Sequence, residues 1–393
     1  MQGMPIEEKT DCTGCAACYC VCPSGCISMR ADSEGFLYPI IDDKKCKNCG
    51  LCINVCTYVK EKIPKHKMMR MYGIKSNNET ERYLSSSGGV FSLISREIIR
   101  RNGVVFGVAF DSNWKVIHTL INSEEDINRL RGSKYVQSNV LDTYSQAKKI
   151  LTTGKLVYYS GTPCQIAGLR AFLDKDYDNL ITQDLICHGV PSPEVWEKYI
   201  NTVRKKHAIK QVLHRDKVLG WSRFSLTVEY ENGKKLTEDL TENAFLRGFL
   251  CNLFLRPSCH NCRYKGKERI SDITLADFWG CNHIEPSLYD EKGSSLVLVN
   301  TLKGHKLLDG VLSNTEWTII DNNQVFDYNS AAIRSVRPHK NRDVFFERFR
   351  KQNNTEKLIL SLIEDSLIKK NFRVKRRMIK GVLSKTKRRF IRI

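Results

Sequence analysis

The pattern of apolar and polar residues changes character several times along this chain. Gly103 to Phe110 is apolar without a break, the mark of a strand covered on both faces. Leu156-Val157-Tyr158-Tyr159 and Leu180 to Ile186 read the same way. Each of the last two runs into a small-residue loop, Ser160 to Gln165 and Cys187 to Pro193, and then into helical periodicity near Ile166 and from Glu194. Further helices are predicted over Phe91 to Arg101, Leu141 to Leu151 and Asn243 to Phe254. Strand, loop and helix in repetition give the βαβ rhythm of a partly parallel sheet, which collects ligands at the carboxyl ends of its strands. Cys164 and Cys187 occupy that position. From 211 to 240 the pattern alternates instead, with Arg223 to Tyr230 as a half-buried strand and Glu231-Asn232-Gly233-Lys234 as a hairpin turn. Ile270 to Gly280 reads as a strand with an acidic end, and the rest to about 365 as mixed helix and strand.

A different signal governs residues 12–56. Cys12, Cys15, Cys18 and Cys22 recur 34 positions later as Cys46, Cys49, Cys52 and Cys56, each quartet spaced C-x2-C-x2-C-x3-C. Three thiolates two residues apart wrap one iron–sulfur cube, and the fourth ligates the other cube. One [4Fe-4S] cluster is therefore assigned to Cys12, Cys15, Cys18 and Cys56, the second to Cys46, Cys49, Cys52 and Cys22. Zinc knuckles use pairs of cysteines rather than such triplets. Pro23 follows the first quartet, whereas Thr57 follows the second.

Composition narrows the class. With 393 residues, 41% hydrophobic and 27% charged, the chain reads as a globular protein of two or three domains. No apolar run reaches transmembrane length, and Met1 to Asp11 lacks the features of a secretory signal. Sixteen cysteines in that context point to metal ligation in a reducing cytoplasm. Twelve Lys or Arg and no acid lie after Asp365, so the tail supplies +12 of the +20 net charge and the body gives no argument for specific nucleic-acid binding. Apolar Phe372, Ile379, Val382, Phe390 and Ile393 among those bases outline a basic amphipathic helix suited to the inner membrane face, with a solvated tail as the alternative.

Several loops in order resemble the family of coenzyme F420 hydrogenase/dehydrogenase beta subunits. They are Ser86-Ser87-Gly88-Gly89-Val90, Gly132 to Ser138, Gly161-Thr162-Pro163-Cys164-Gln165, Cys187 to Ser192, Cys259-x2-Cys262 and Asp272 to Gly280. The resemblance implies a flavoprotein that holds FAD beside iron–sulfur clusters and exchanges a hydride with F420 or another organic substrate. It makes Ser86, Ser87, Gly88, Gly89, Ser133, Lys134 and Tyr135 candidate FAD contacts. It also makes Cys164, Cys187, Cys259 and Cys262 a candidate third [4Fe-4S] cluster, against a zinc site or four separate buried thiols.

The expected fold class is α/β (α+β mixed). A two-cluster ferredoxin-like domain (1–60), a linker (61–70), a mixed-sheet flavoprotein body (71–365) and a basic C-terminal helix (366–393) follow one another. The expected function is electron transfer between the clusters and FAD, with an external ferredoxin and a small-molecule substrate as partners. A non-catalytic electron-transfer component of a larger redox complex is the alternative. His188, beside Cys187, is the candidate proton donor, against a structural histidine holding its loop. Cys20, Cys26, Cys251 and Cys281 are left over, with packing as their expected role.

Overall fold

The computed structural model describes residue 6, residues 8–59 and residues 64–363. The start of the expected linker and the whole basic tail lie outside the described residues. Among the described residues no helix is long and apolar enough to cross a membrane.

After a short helix, Ala17–Val21, comes a two-stranded hairpin, β1 (Ile27–Ala31) and β2 (Leu37–Ile41), antiparallel with Ile27 opposite Ile41. Asp32 closes its turn, Oδ1 accepting from the backbone N–H of Glu34 at 2.9 Å and of Phe36 at 3.0 Å. Eight strands then build one sheet: β3 (Arg70–Ser76), β4 (Val104–Phe110), β5 (Val116–Ile121), β6 (Val157–Ser160), β7 (Leu180–Leu185), β11 (Ile273–Asp277), β12 (Ser295–Val299) and β13 (Thr315–Ile319). Their order is β13-β3-β12-β11-β7-β6-β4-β5. The neighbours β11, β7, β6 and β4 run parallel, and the flanking strands pair antiparallel. β8 (Ile209–Asp216), β9 (Ser225–Tyr230) and β10 (Lys235–Asp239) form a separate antiparallel sheet.

The unbroken apolar runs have a direct cause, because both faces of the large sheet are covered. Tyr158 and Val105 pack with Ile94 and Ile98 of the helix Val90–Arg100, while Val157, Tyr159 and Phe106 pack with Ile166 and Leu169 of the helix Pro163–Leu173. The N-terminal cysteine region joins the second face through Ala16, Ala17 and Val55. Gly168 makes this approach close, since a Cβ there would stand 2.8 Å from Cys15 Cβ. A helix-interior glycine costs about 1 kcal/mol relative to alanine, and here it admits the neighbouring cysteine loop.

The smaller sheet shares its core with the helices Pro193–Arg204, Ala244–Leu250 and Arg342–Phe349. The helix expected over Asn243 to Phe254 is shorter than its periodicity implies. Asn243 caps it by accepting from Leu246 N–H, but Asn252 adopts a φ of 62° and turns the chain away after Leu250.

Candidate redox site

Two sulfur sets form in the N-terminal region. Cys22, Cys46, Cys49 and Cys52 line one cavity, with Cys26 beside them. Cys12, Cys15, Cys18 and Cys56 form the other. Burial pushes the Cys15 thiol up to about 11, and the neighbouring Cys12 and Cys56 add to the effect. Burial also raises Cys18, with Cys15, Cys12 and Cys56 acting on it. The fourth cysteine of each quartet thus stands beside the other triplet. Left-handed residues make these tight loops, with Gly14 at φ 67° and Ala16 at φ 63°. Cys49 is exposed, so the second set is the one nearer solvent.

Three separate chain segments deliver a third set. Cys164 stands in the first turn of the helix Pro163–Leu173, whose start is fixed by a capping box between Thr162 and Gln165. Cys187 follows β7, and Cys259 and Cys262 sit in and just after the turn Pro257–Asn261. All four line one cavity together with His188, Arg256, Tyr264 and Lys265. Burial pushes the Cys187 and Cys259 thiols up to about 12 and raises Cys164 further. A thiol so placed is inert unless a cation compensates its thiolate, which bound iron does. Among the described residues no three His, Cys, Asp or Glu converge on one point suited to a single ion. A four-iron cube takes one thiolate at each corner, so its ligands stand farther apart than those of one zinc.

His188 belongs to this third set rather than to the cleft described next. Its Nε2 lies 2.6 Å from Asn252 Oδ1, its ring meets Phe249 edge-on, and burial lowers its pKa. That position supports the loop-holding role and lends nothing to a proton donor.

A cleft of about 300 Å³ opens at the carboxyl ends of β6, β7 and β11. Ser86, Ser87, Gly89, Ser133, Lys134 and Tyr135 line it. Gly88 sits behind them, and a Cβ there would meet Ile74 O at 2.2 Å and Ser295 N at 2.7 Å. Ser86 Oγ accepts from Ser133 N–H at 2.8 Å and ties the two loops together. The helix Val90–Arg100 starts at the cleft with no side chain capping it, an electropositive end suited to phosphate. Lys134 serves otherwise than its charge suggests. Its Nζ donates to the carbonyls of Arg129, Leu130 and Arg131 at 3.2, 3.0 and 2.9 Å, and burial lowers its pKa to about 7. It closes the end of a short helix instead of presenting an ammonium to a ligand.

Arg215 and Trp221, beside Asp277 of the Asp272 to Gly280 motif, escape sequence reasoning. Asp277, at the end of β11, accepts from Arg215 Nη1 at 2.6 Å and Trp221 Nε1 at 3.1 Å. Arg215 also donates to Tyr135 Oη at 3.3 Å, and its guanidinium lies 4.2 Å from the Phe224 ring centroid. Trp221 stacks on Trp279 at 4.7 Å. Arg215 Nε and Nη2 are buried without a hydrogen-bond partner among the described residues, and the guanidinium stands over the Phe224 and Trp279 rings. Small-residue loops, an open helix end, an aromatic ring and this charged wall fit a phosphate-bearing aromatic cofactor.

Behind the cleft His118 is buried, Nδ1 at 3.0 Å from Ser138 Oγ and Nε2 at 3.2 Å from Ser160 O. Burial drives its pKa down from 6.5 to about 4. Above pH 6.5 it is neutral in both folded and unfolded chains. As pH falls toward 4 only the unfolded chain gains the proton, so stability is lost across that window. A loss of about 2 kcal/mol between pH 7 and pH 5 is expected. Urea midpoints of the parent and of His118→Asn check it: equal pH slopes would contradict the assignment.

The sulfur sets and the cleft are contiguous. Cys15 touches the helix that carries Cys164, and Tyr264 feels Cys15, Cys164 and Cys262 alike. Arg256 spans the same gap: it lines the third cavity while Nε donates to Cys12 O at 2.8 Å. Cys187, Gly189 and Val190 line both the third cavity and the cleft.

Residues 154–324 match the family described as the C terminus of the coenzyme F420 hydrogenase/dehydrogenase beta subunit, and residues 11–59 match a 4Fe-4S dicluster domain. Over residues 154–324, less than half of its length, the chain is similar to that beta-subunit family, and over residues 11–59 to dicluster ferredoxin domains. Iron–sulfur binding and kinship to oxidoreductase subunits follow from those matches. The beta-subunit span holds Cys164, Cys187, Cys259, Cys262 and Asp277, while Ser86 to Gly89 and Ser133 to Tyr135 precede it. The F subunit of the F(420)H(2) dehydrogenase of Methanosarcina mazei is 24% identical over 192 residues, covering 45% of this chain and 52% of that protein. The coenzyme F420-dependent sulfite reductase of Methanocaldococcus jannaschii is 26% identical over 327 residues, 78% of this chain and 47% of that protein. The chain thus spans about half the length of these two relatives. A structure of the F420-reducing [NiFe] hydrogenase complex from Methanosarcina barkeri aligns with 73% of this chain and 94% of its own, at TM-score 0.46 and 17% identity.

Proposed function

We propose that the chain is an iron–sulfur flavin oxidoreductase. In this reading electrons pass between two N-terminal [4Fe-4S] clusters, a third cluster and FAD, and a hydride is exchanged with F420 or another organic substrate. The observation that carries it is the contiguity of the three sulfur sets with the cleft, where Cys187, Gly189 and Val190 serve both. FAD, when bound, supplies the conversion between single electrons and a hydride.

The residues divide that work. Cys12, Cys15, Cys18 and Cys56 hold the inner ferredoxin cluster, Cys46, Cys49, Cys52 and Cys22 the outer one, and Cys164, Cys187, Cys259 and Cys262 the third. Exposed Cys49 makes the outer site the port for an external ferredoxin. The loops at Ser86 and Ser133, tied to each other, and the open end of the helix Val90–Arg100 seat the phosphates. Asp277 and Arg215 fix Tyr135 at the opposite wall. The setting proposed is the cytoplasm, with the small substrate entering the open cleft.

Anaerobic mixing with a reduced external ferredoxin tests the order of events. Cluster absorbance should change first and flavin absorbance second; flavin reduced no faster than free FAD would overturn the reading. A second reading, an electron-transfer component whose catalytic site lies on a partner, draws support from the relative described as a subunit. Turnover of a small substrate by the lone chain would exclude it.

A further inference from the structure

The cavity of the outer ferredoxin cluster is lined by five cysteines, one more than a cube has corners. Cys46, Cys49 and Cys52 come from the second quartet, and Cys22 and Cys26 both reach the remaining side. The two sulfurs stand 3.3 Å apart. Their shared position follows from the turn Cys22-Pro23-Ser24-Gly25-Cys26, in which Gly25 N–H donates to Cys22 O at 3.2 Å and Gly25 adopts a φ of 60°. Cys26 is the better anchored of the two. It is buried, and its carbonyl accepts from Asp42 N–H at 2.8 Å beside the β1–β2 ladder. Cys22 ends a short helix and is half-buried, at the cluster site nearest solvent.

Resting on the two-cluster reading, we infer that Cys26 is a reserve ligand of the outer cluster, able to take the iron corner that Cys22 holds. In the exchange the Fe–Sγ bond to Cys22 breaks and one to Cys26 forms. The proton that Cys26 gives up passes to Cys22, and no electron moves. Cys26 packs with Ile27 and Ile41 on one side, and on the other it lines the cluster cavity with its sulfur 3.3 Å from that of the ligand it would replace. Such a reserve keeps a cube with four thiolates at the corner where a half-buried ligand is open to oxidants.

The test uses the full chain purified without oxygen as Cys22→Ala, Cys26→Ala and the double variant. Iron per chain and the oxidised-state paramagnetic resonance of a three-iron cluster are read on each. Both single variants should hold as much iron as the parent and show no three-iron signal. The double variant should lose about one to four irons and, where a cube remains, show that signal. A Cys22→Ala chain as defective as the double variant would overturn the inference. So would a defect in Cys26→Ala alone, which would make Cys26 the resident ligand. Iron at the inner cluster, about four per chain, reports that each variant has folded. A parent that binds no iron would count against the two-cluster reading itself, separately from the exchange.

Discussion

Replacing Cys259 by alanine is expected to remove the third cluster and to interrupt the route to the cleft. Iron should fall from about twelve to about eight per chain. Cys259 lines the third cavity but not the cleft, so FAD binding should persist. Electrons supplied at the ferredoxin region should then stop at the inner cluster, and flavin bleaching by reduced ferredoxin should drop to the background of free FAD. The cause is geometric, because Cys164 of this set lies within reach of Cys15 and Cys187 of the same set lines the cleft. Unchanged iron with undiminished flavin reduction would make these four residues plain buried thiols. Loss of one zinc instead of iron would make them a structural metal site.

Arg256→Ala is expected to be the most damaging single change outside the cysteines. Arg256 is fully buried and binds Cys12 O, Gln137 Oε1 and Leu37 O at 2.8, 2.9 and 3.1 Å, with its guanidinium 4.3 Å from the Tyr38 ring centroid. Truncation leaves three acceptors short of a donor, each worth about 1–3 kcal/mol when stranded in the interior. A total of about 3–9 kcal/mol is a large share of a stability of about 5–15 kcal/mol. Since two of the three acceptors belong to residues 12–37, the ferredoxin region should loosen first. Limited proteolysis should cleave it from the rest, and transfer to the flavin should fall while Arg256→Lys, which keeps charge but lacks the fork, gives an intermediate effect. Parent-like protection and transfer in Arg256→Ala would contradict this role.

Much of this is legible in the sequence, and the parts that are not share a cause. The cysteine quartets and the strands near 104–110, 157–160 and 180–185 are set by local spacing and by burial on both faces, which a one-dimensional pattern carries. Cys164, Cys187, Cys259 and Cys262 were named from loops far apart, and the fold brings them to one cavity. Arg215 was missed because its partner Asp277 lies 62 positions away and because an arginine in an alternating strand reads as a solvated face. The helix after Asn243 was overextended because its periodicity continues past Asn252, whose left-handed backbone no apolar pattern reports. Lys134 is a candidate FAD contact by resemblance, but three carbonyls of its own loop take its donors. Cys26 looked like filler by subtraction, although a turn of five residues brings it to the ligand sulfurs.

The central claim is one electron path through three cubes to a flavin. It is tested most directly by anaerobic purification of the whole chain, with iron, zinc and flavin counted on one sample. About twelve irons, no zinc and one FAD are expected. About eight irons with no flavin, even after reconstitution with FAD, would contradict it and leave a two-cluster electron carrier.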